Sequence, residues 1–116
     1  MNIQKFTQKS IEAVNDCEKL AYEYGNQEIE QEHLLAALLR QDDGLILKLI
    51  EKMEINKEHF TDNAISHLEA RVKVSGGQIY IGKNLNQVLI SAEDEAKQMG
   101  DEYVSVEHLF LSMLKY

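Results

Sequence analysis

The chain has 116 residues, which is the length of one domain. Its single cysteine, Cys17, cannot form an internal disulfide, and this composition favours a reducing compartment. A formal net charge of -8, with no cluster of Lys and Arg, argues against binding to nucleic acid. The sequence contains no apolar run of the length that a secretory signal or a membrane span requires. We therefore expect a soluble cytoplasmic protein without a membrane partner.

Hydrophobic residues recur every three or four positions along most of the chain, which predicts an all-α domain. Residues that cap or break helices bound each apolar segment. The predicted helices run from Thr7 to the residue before Gly25, from Gln31 to Arg40, from Leu45 to Met53, from the residue after Asn56 to about Leu68, from Lys83 to Met99, and from Val106 to Lys115.

A linker, Val72 to Gly82, is expected to separate the fourth helix from the fifth. It overlaps Gly76 to Asn84, GGQIYIGKN, which is one residue short of the phosphate-binding pattern G-x-x-x-x-G-K-[ST]. Asn84 replaces the hydroxyl residue that would hold magnesium, and bulky residues fill the middle of the loop. We interpret this segment as a linker and expect no ATP bound to it.

The chain contains an internal repeat with an offset of 75 positions, the separation of Gly25 from Gly100. GNQEIEQEHLLAALL in the first copy aligns with GDEYVSVEHLFLSML in the second, and Thr7 aligns with Gly82. Each copy would leave an apolar face uncovered unless the two packed together. We expect a single domain, residues 1–116, built as a pseudo-twofold helical bundle. Repeat one spans about 1–72, the linker 73–82, and repeat two 83–116, which looks cut short of two further helices.

Candidate catalytic and metal-binding residues have structural explanations in this sequence. His33 and His108 occupy equivalent first-turn positions, and neither has a second His one turn away, so we expect them to satisfy free helix N–H groups or loop carbonyls. Cys17 lies on an apolar helix face, where burial would raise its pKa. Ser105 is interpreted as a helix cap. We therefore expect neither catalytic residues nor a metal site.

Four motifs together resemble the N-terminal domain of the Clp/Hsp100 unfoldases, and most closely its ClpB-type disaggregases. The resemblance covers essentially the whole chain. The related ClpA and ClpC domains usually carry G-T-E-H, which neither repeat contains. Gln31 stands where many relatives have Pro, and Gly82-Lys83 replaces a Ser-Pro or Thr-Pro helix start. The motifs are Lys5-Phe6-Thr7, Tyr24 to Glu30 with Glu32-His33-Leu34-Leu35, Lys73 to Gly77, and Gly100 to Leu109.

The resemblance implies a non-catalytic domain that engages unfolded or aggregated protein on behalf of an ATP-dependent disaggregase. An apolar groove near the junction of the two repeats would hold the substrate, and Thr7, Asp101 and Glu107 correspond to positions linked to handling of aggregated substrate. ATP and magnesium would bind to AAA+ modules elsewhere in a hexameric parent chain, with no cofactor in this fragment. The fragment itself is expected to be monomeric.

Three alternatives remain open at this point. An adaptor-docking domain of the ClpA or ClpC type would recognise a folded partner. A purely structural module would set the assembly of the AAA+ ring without touching substrate. A small hydrolase or metal enzyme would need a constellation of side chains that the sequence does not supply.

Overall fold

A computed structural model describes residues 3–74 and 76–115, so Ser75 of the predicted linker and Tyr116 of predicted repeat two lie outside the described residues. Six α-helices occur in this part of the chain, and each lies within about one residue of its predicted bounds. The helices are α1 (Gln8–Glu23), α2 (Gln31–Leu39), α3 (Leu45–Lys52), α4 (Lys57–Glu69), α5 (Lys83–Gln98) and α6 (Val106–Lys115).

Helix boundaries follow the local chemistry of the chain. The hydroxyl of Thr7 accepts a hydrogen bond from the backbone N–H of Ser10 and so caps α1. Asn56 caps α4 in the same way. Gly25 and Gly100 follow α1 and α5 at equivalent positions and adopt φ of 69° and 74°, the left-handed conformation that glycine accepts without strain.

The hydrophobic core lies between two similar helix pairs. Helix α1 packs on α2, α5 packs on α6, and the pairs meet through α1 with α6 and through α2 with α5. Helices α3 and α4 cover the outer side of α2. The largest side chains with almost no exposed surface are Leu20, Leu34, Leu38, Ile46, Ile50, Leu68, Leu85, Leu89 and Leu109.

The predicted linker contains a strand that the sequence analysis missed. β1 (Glu28–Ile29) and β2 (Tyr80–Ile81) form a parallel pair in which Ile29 is opposite Ile81. A second parallel bridge joins Phe6 to Val104. These segments are too short for the alternation of apolar and polar residues that identifies a strand in sequence.

The two strand pairs are related by the internal repeat. Phe6 is equivalent to Ile81 and Val104 is equivalent to Ile29, so in each pair the segment before one repeat's long helix lies beside the loop of the other repeat. This exchange joins the two halves and confirms the pseudo-twofold helical architecture. The boundaries at 1–72, 73–82 and 83–116, and the interpretation that repeat two is cut short, stay predictions.

Candidate functional site at the junction of the two repeats

The hydroxyl of Thr7 forms its hydrogen bonds at the N-terminus of α1. Besides accepting from the Ser10 N–H at 3.3 Å, it donates to Ser10 Oγ at 3.0 Å. Ser10 Oγ donates in turn to the carbonyl of Val104 at 2.9 Å, and the same carbonyl accepts the N–H of Thr7. Thr7 therefore lies against the loop between α5 and α6, which contains Asp101 and leads into the first turn of α6, where Glu107 lies.

Asp101 and Glu107 belong to a hydrogen-bond network around His108, where that loop meets the first turn of α6. The backbone N–H of Ser105 donates to His108 Nδ1 at 2.9 Å, so the ring proton is on Nε2, which donates to Asp101 Oδ2 at 2.8 Å. The Ser105 hydroxyl donates to Glu107 Oε2 at 3.0 Å. About half of the Asp101 side chain is exposed, while His108 is buried. Thr7, Asp101 and Glu107 are thus connected through the segment from Asp101 to His108.

The first repeat contains the same network with an amide in place of the carboxylate. The N–H of Glu30 donates to His33 Nδ1 at 2.9 Å, and His33 Nε2 lies 2.9 Å from Asn26 Oδ1. Asn26 Nδ2 donates to the carbonyl of Val72, at the start of the linker. The interpretation of both histidines as groups that satisfy backbone N–H groups is confirmed.

Burial lowers the pKa of His33 from its ordinary value of 6.5, and the nearby Arg71 cation lowers it further. The Glu32 carboxylate acts in the opposite direction but is the smaller influence. Arg71 Nη1 forms an ion pair with this carboxylate at 2.5 Å. His33 is therefore a neutral hydrogen-bonded residue of the core at neutral pH.

Ser105 is the residue before α6 and caps it mainly through its backbone. Its carbonyl accepts the N–H of Leu109, as the residue before a helix should, but its hydroxyl bonds the side chain of Glu107 rather than a backbone N–H. His108 takes over the side-chain part of the cap because its Nδ1 already binds the N–H of Ser105. Ser105 is therefore the cap residue of α6, as predicted, although its hydroxyl bonds a side chain.

The N-terminus of α5 is occupied by a carboxylate from the other repeat. Glu30, which has 7% of its surface exposed, accepts the N–H of Leu85 at 2.9 Å. A Cβ at Gly82 would overlap the Glu30 carboxylate, so glycine is required there. Because a phosphate would need the position that this negative charge fills, the geometry disfavours nucleotide binding at the GGQIYIGKN segment.

An apolar cavity of about 250 Å³ lies where the two repeats meet. Val14 on α1 and Leu89 on α5 occupy equivalent positions in the two repeats, and both line it. Ile81 on β2 forms part of the rim and has 42% of its surface exposed. The remaining lining residues are Asn15, Cys17, Glu18, Ile29, Leu34, Ile79, Tyr80 and Leu85.

Cys17 faces this cavity but is a poor nucleophile. Burial, and to a smaller extent the charge of Asp16, raises the pKa of its thiol to about 12, as the sequence analysis predicted in direction. Within residues 3–74 and 76–115, no three His, Cys, Asp or Glu side chains are placed to hold a metal ion. The same part of the chain has no helix that is both long and apolar enough to cross a membrane.

Sequence reasoning missed Asn26, Glu30 and the strand residues of the cavity rim. The repeat alignment places Asn26 opposite Asp101, so it could have identified the first of these. The role of Glu30 could not be found this way, because its equivalent is Ser105, which caps no helix of the other repeat. The rim residues depend on strand pairing between distant segments.

Two helix-loop-helix units that exchange short strands across a pseudo-twofold junction define a class of all-α repeat domain. The chain belongs to the family described as Clp repeat (R) N-terminal domain, whose model matches residues 5–116. This confirms the resemblance to the Clp/Hsp100 proteins.

Curated relatives of high similarity carry the name Chaperone protein ClpB. One from Nitratidesulfovibrio vulgaris is 43% identical over 99% of this chain, and one from Porphyromonas gingivalis is 41% identical over 98%. The chain spans only 14% and 13% of the lengths of these two relatives. The match supports the ClpB type inferred from the absence of G-T-E-H.

Solved structures show the same fold at lower identity. The N-terminal domain of Hsp104 from Candida albicans superposes with a TM-score of 0.86 at 24% identity, covering 95% of this chain and 73% of that one. The N-terminal domain of the ClpV1 ATPase from E. coli superposes with a TM-score of 0.87 at 19% identity, covering 97% of this chain and 69% of that one. At these identities the likeness concerns the fold alone.

Proposed function

We propose that this chain is the non-catalytic substrate-engaging domain of a ClpB-like chaperone and that it binds unfolded or aggregated polypeptide in the cytoplasm. The observation that carries the proposal is the open apolar cavity between the repeats. A folded domain gains nothing in stability from exposed apolar surface, so a cavity rimmed by an exposed isoleucine is suited to an apolar ligand.

The cavity is suited to weak and reversible contact. Its volume accommodates one or two apolar side chains, and most of the residues that line it are aliphatic. Transient binding to many sequences is the property that delivery of unfolded chains to an ATPase ring requires. Attachment to such a ring would raise the local concentration of captured chains without tight binding.

Thr7, Asp101 and Glu107 belong to the proposal as a second contact region, carried over from the resemblance. Thr7 bonds Val104 beside the Phe6–Val104 bridge, which the repeat relates to the β1–β2 pair beside the cavity, and Asp101 and Glu107 lie on either side of Val104 in sequence. Of the three, Asp101 has the exposed carboxylate surface to meet a polypeptide directly. The hydroxyl of Thr7 is already used as a cap.

The test is an NMR titration of the isotopically labelled chain with casein, an unfolded model protein. We expect casein to shift the resonances of Val14, Ile81 and Leu89, and to affect the loop that holds Asp101. Addition of ATP with magnesium to a separate sample should shift none of the resonances of Gly77 to Asn84.

A matched pair of variants makes the test specific. Ile81 and Ile90 have 42% and 43% of their surfaces exposed, but only Ile81 lines the cavity. Ile81→Ser should weaken casein binding about fivefold, as expected for loss of a partly buried aliphatic side chain, whereas Ile90→Ser should have no effect. Equal effects of the two substitutions, or no casein-induced shifts at all, would overturn the proposal.

A further inference from the structure

The outer edge of β2 is an unpaired strand edge beside the cavity. Tyr80 and Gly82 donate their N–H groups to the carbonyls of Gln27 and Ile29, so both point towards β1. Because backbone groups alternate in direction along a strand, the N–H and C=O of Ile81 point away from β1. Among the described residues, neither group has a hydrogen-bond partner.

The equivalent edge in the other strand pair is closed by burial. Phe6 stands at the position of Ile81 in the repeat and has 4% of its surface exposed, compared with 42% for Ile81. The two repeats therefore share the strand pairing, but the outer strand edge is buried at Phe6 and exposed at Ile81. The β2 edge adjoins an apolar cavity with an exposed rim.

A carboxylate completes this surface. Glu18 lies on α1, lines the same cavity as Ile79 and Ile81, and forms no ion pair with any cation in the described part of the chain. An unpaired acidic group beside an apolar cavity favours a ligand that carries a basic residue next to its apolar ones.

We propose that an extended segment of an unfolded polypeptide, apolar at alternate positions and carrying a Lys or Arg, adds as a third strand to the Ile81 edge of β2, with an apolar side chain in the cavity and its cation beside Glu18. Main-chain hydrogen bonds would supply sequence-independent affinity, and the cavity and Glu18 would supply a modest preference. The two-residue strand offers one N–H and one C=O, so the contact is weak and reversible. This inference rests on the proposed function and specifies its binding mode.

The test uses short synthetic peptides with alternating Val and Thr and one Lys, and the 116-residue chain observed by NMR. One analogue carries N-methyl groups on one alternate set of amides, and a second carries them on the other set. A strand that adds to an edge uses only one set, so one analogue should lose binding by about tenfold or more while the other binds like the parent peptide.

Two variants of the protein test the same contact from the other side. Ile81→Pro removes the outward N–H without removing a bond to β1, while Ile81→Ala removes a similar part of the side chain and keeps the N–H. We expect Ile81→Pro to bind the parent peptide about fivefold more weakly than Ile81→Ala, in line with loss of one hydrogen bond. Glu18→Gln should weaken the Lys peptide about twofold and leave a peptide with Gln in place of Lys unaffected.

The outcomes separate this inference from the proposed function. If the peptides shift cavity resonances but both N-methylated analogues bind like the parent, strand addition is wrong while the cavity keeps its role. If no peptide shifts any cavity resonance, both proposals fail. Strand addition is established if one N-methylated analogue loses binding while the other binds like the parent peptide, and if the Ile81→Pro protein binds the parent peptide more weakly than the Ile81→Ala protein.

Discussion

The two histidines of the repeat are fixed by the same backbone contact but differ in their second partner. His33 and His108 each accept the N–H of the residue three positions before, at 2.9 Å in both cases. Asn26 is the second partner of His33, and Asp101 is the second partner of His108. The second partner is therefore a neutral amide in repeat one and a carboxylate in repeat two.

We predict that stability falls as the pH drops below 6.5, the ordinary pKa of histidine, because of His33. Burial lowers the pKa of His33 in the folded state, so the unfolded chain binds a proton first, and the stability that is fully present above 6.5 is lost towards the lower folded value. Urea unfolding at about pH 7.5 and about pH 5.5 measures the effect, which is at most about 1.4 kcal/mol per pH unit for one group.

A variant comparison assigns this pH dependence to one residue. His33→Gln should reduce the difference in unfolding free energy between the two pH values, even if it lowers stability at both. His67→Gln is the control, because His67 is exposed on α4. An unchanged pH dependence in the His33 variant would contradict the prediction.

At the scale of elements, the two long helices α1 and α5 differ in where the side chain that caps them comes from. Helix α1 carries its own cap, Thr7, and the equivalent of Glu30 in the facing loop is the small residue Ser105. Helix α5 begins at Gly82, which has no side chain, and takes its cap from Glu30. At each helix start the residue that provides the cap faces a smaller residue: Thr7 faces Ser105 at α1, and Glu30 faces Gly82 at α5.

We predict that the two arrangements can be exchanged by a pair of substitutions. Glu30→Ser should cost about 1–2 kcal/mol of stability, because the N–H of Leu85 loses its acceptor. Gly82→Thr should also destabilise, because its side chain would overlap the Glu30 carboxylate. The double variant would place a Thr and a Ser at α5 as Thr7 and Ser105 are placed at α1, with the Glu28 Cγ atom, 2.8 Å from a Cβ at position 82, as the contact left to relax.

Chemical denaturation of the four proteins in this double-mutant cycle gives the coupling free energy. We expect the double variant to be more stable than the sum of the single effects by about 1 kcal/mol or more. Additive effects would mean that the cap and the space at Gly82 are independent, contrary to the contact seen in the structure.

For the whole molecule, stability depends on strand pairs whose two members come from different halves of the chain. Tyr80 and Gly82 bond the loop of repeat one, and Thr7 and Val104 bond across to the opposite half. Neither half contains both members of a strand pair, and α1 and α6 share the core with α2 and α5. Folding should therefore require both halves at once.

We predict that residues 1–74 and residues 75–116, produced as separate chains, are each largely unfolded and that mixing them restores helical structure. Each fragment alone loses a strand partner and exposes the apolar face of its long helix. Circular dichroism during thermal unfolding is the measurement. A cooperative unfolding transition of residues 1–74 alone would show that repeat one is self-sufficient.

The features that were predictable from sequence are those that depend on neighbours along the chain. Thr7 as a cap, Cys17 as a buried thiol and the first-turn role of His33 all follow from contacts within a few residues. The role of Glu30 was not predictable, because its partner Leu85 is 55 positions away. The strand at Ile81 was missed because two residues carry no periodicity.

The amino-acid sequence by itself determined the six helices, the repeat and membership of the Clp N-terminal domain family, because periodicity and local capping are written in adjacent residues. The tertiary structure alone decided which loop faces which helix, and so where the cavity opens, where Glu30 acts and which strand edge stays unpaired. These features arise from contacts between segments distant in sequence, and such contacts exist only after the two repeats have packed together.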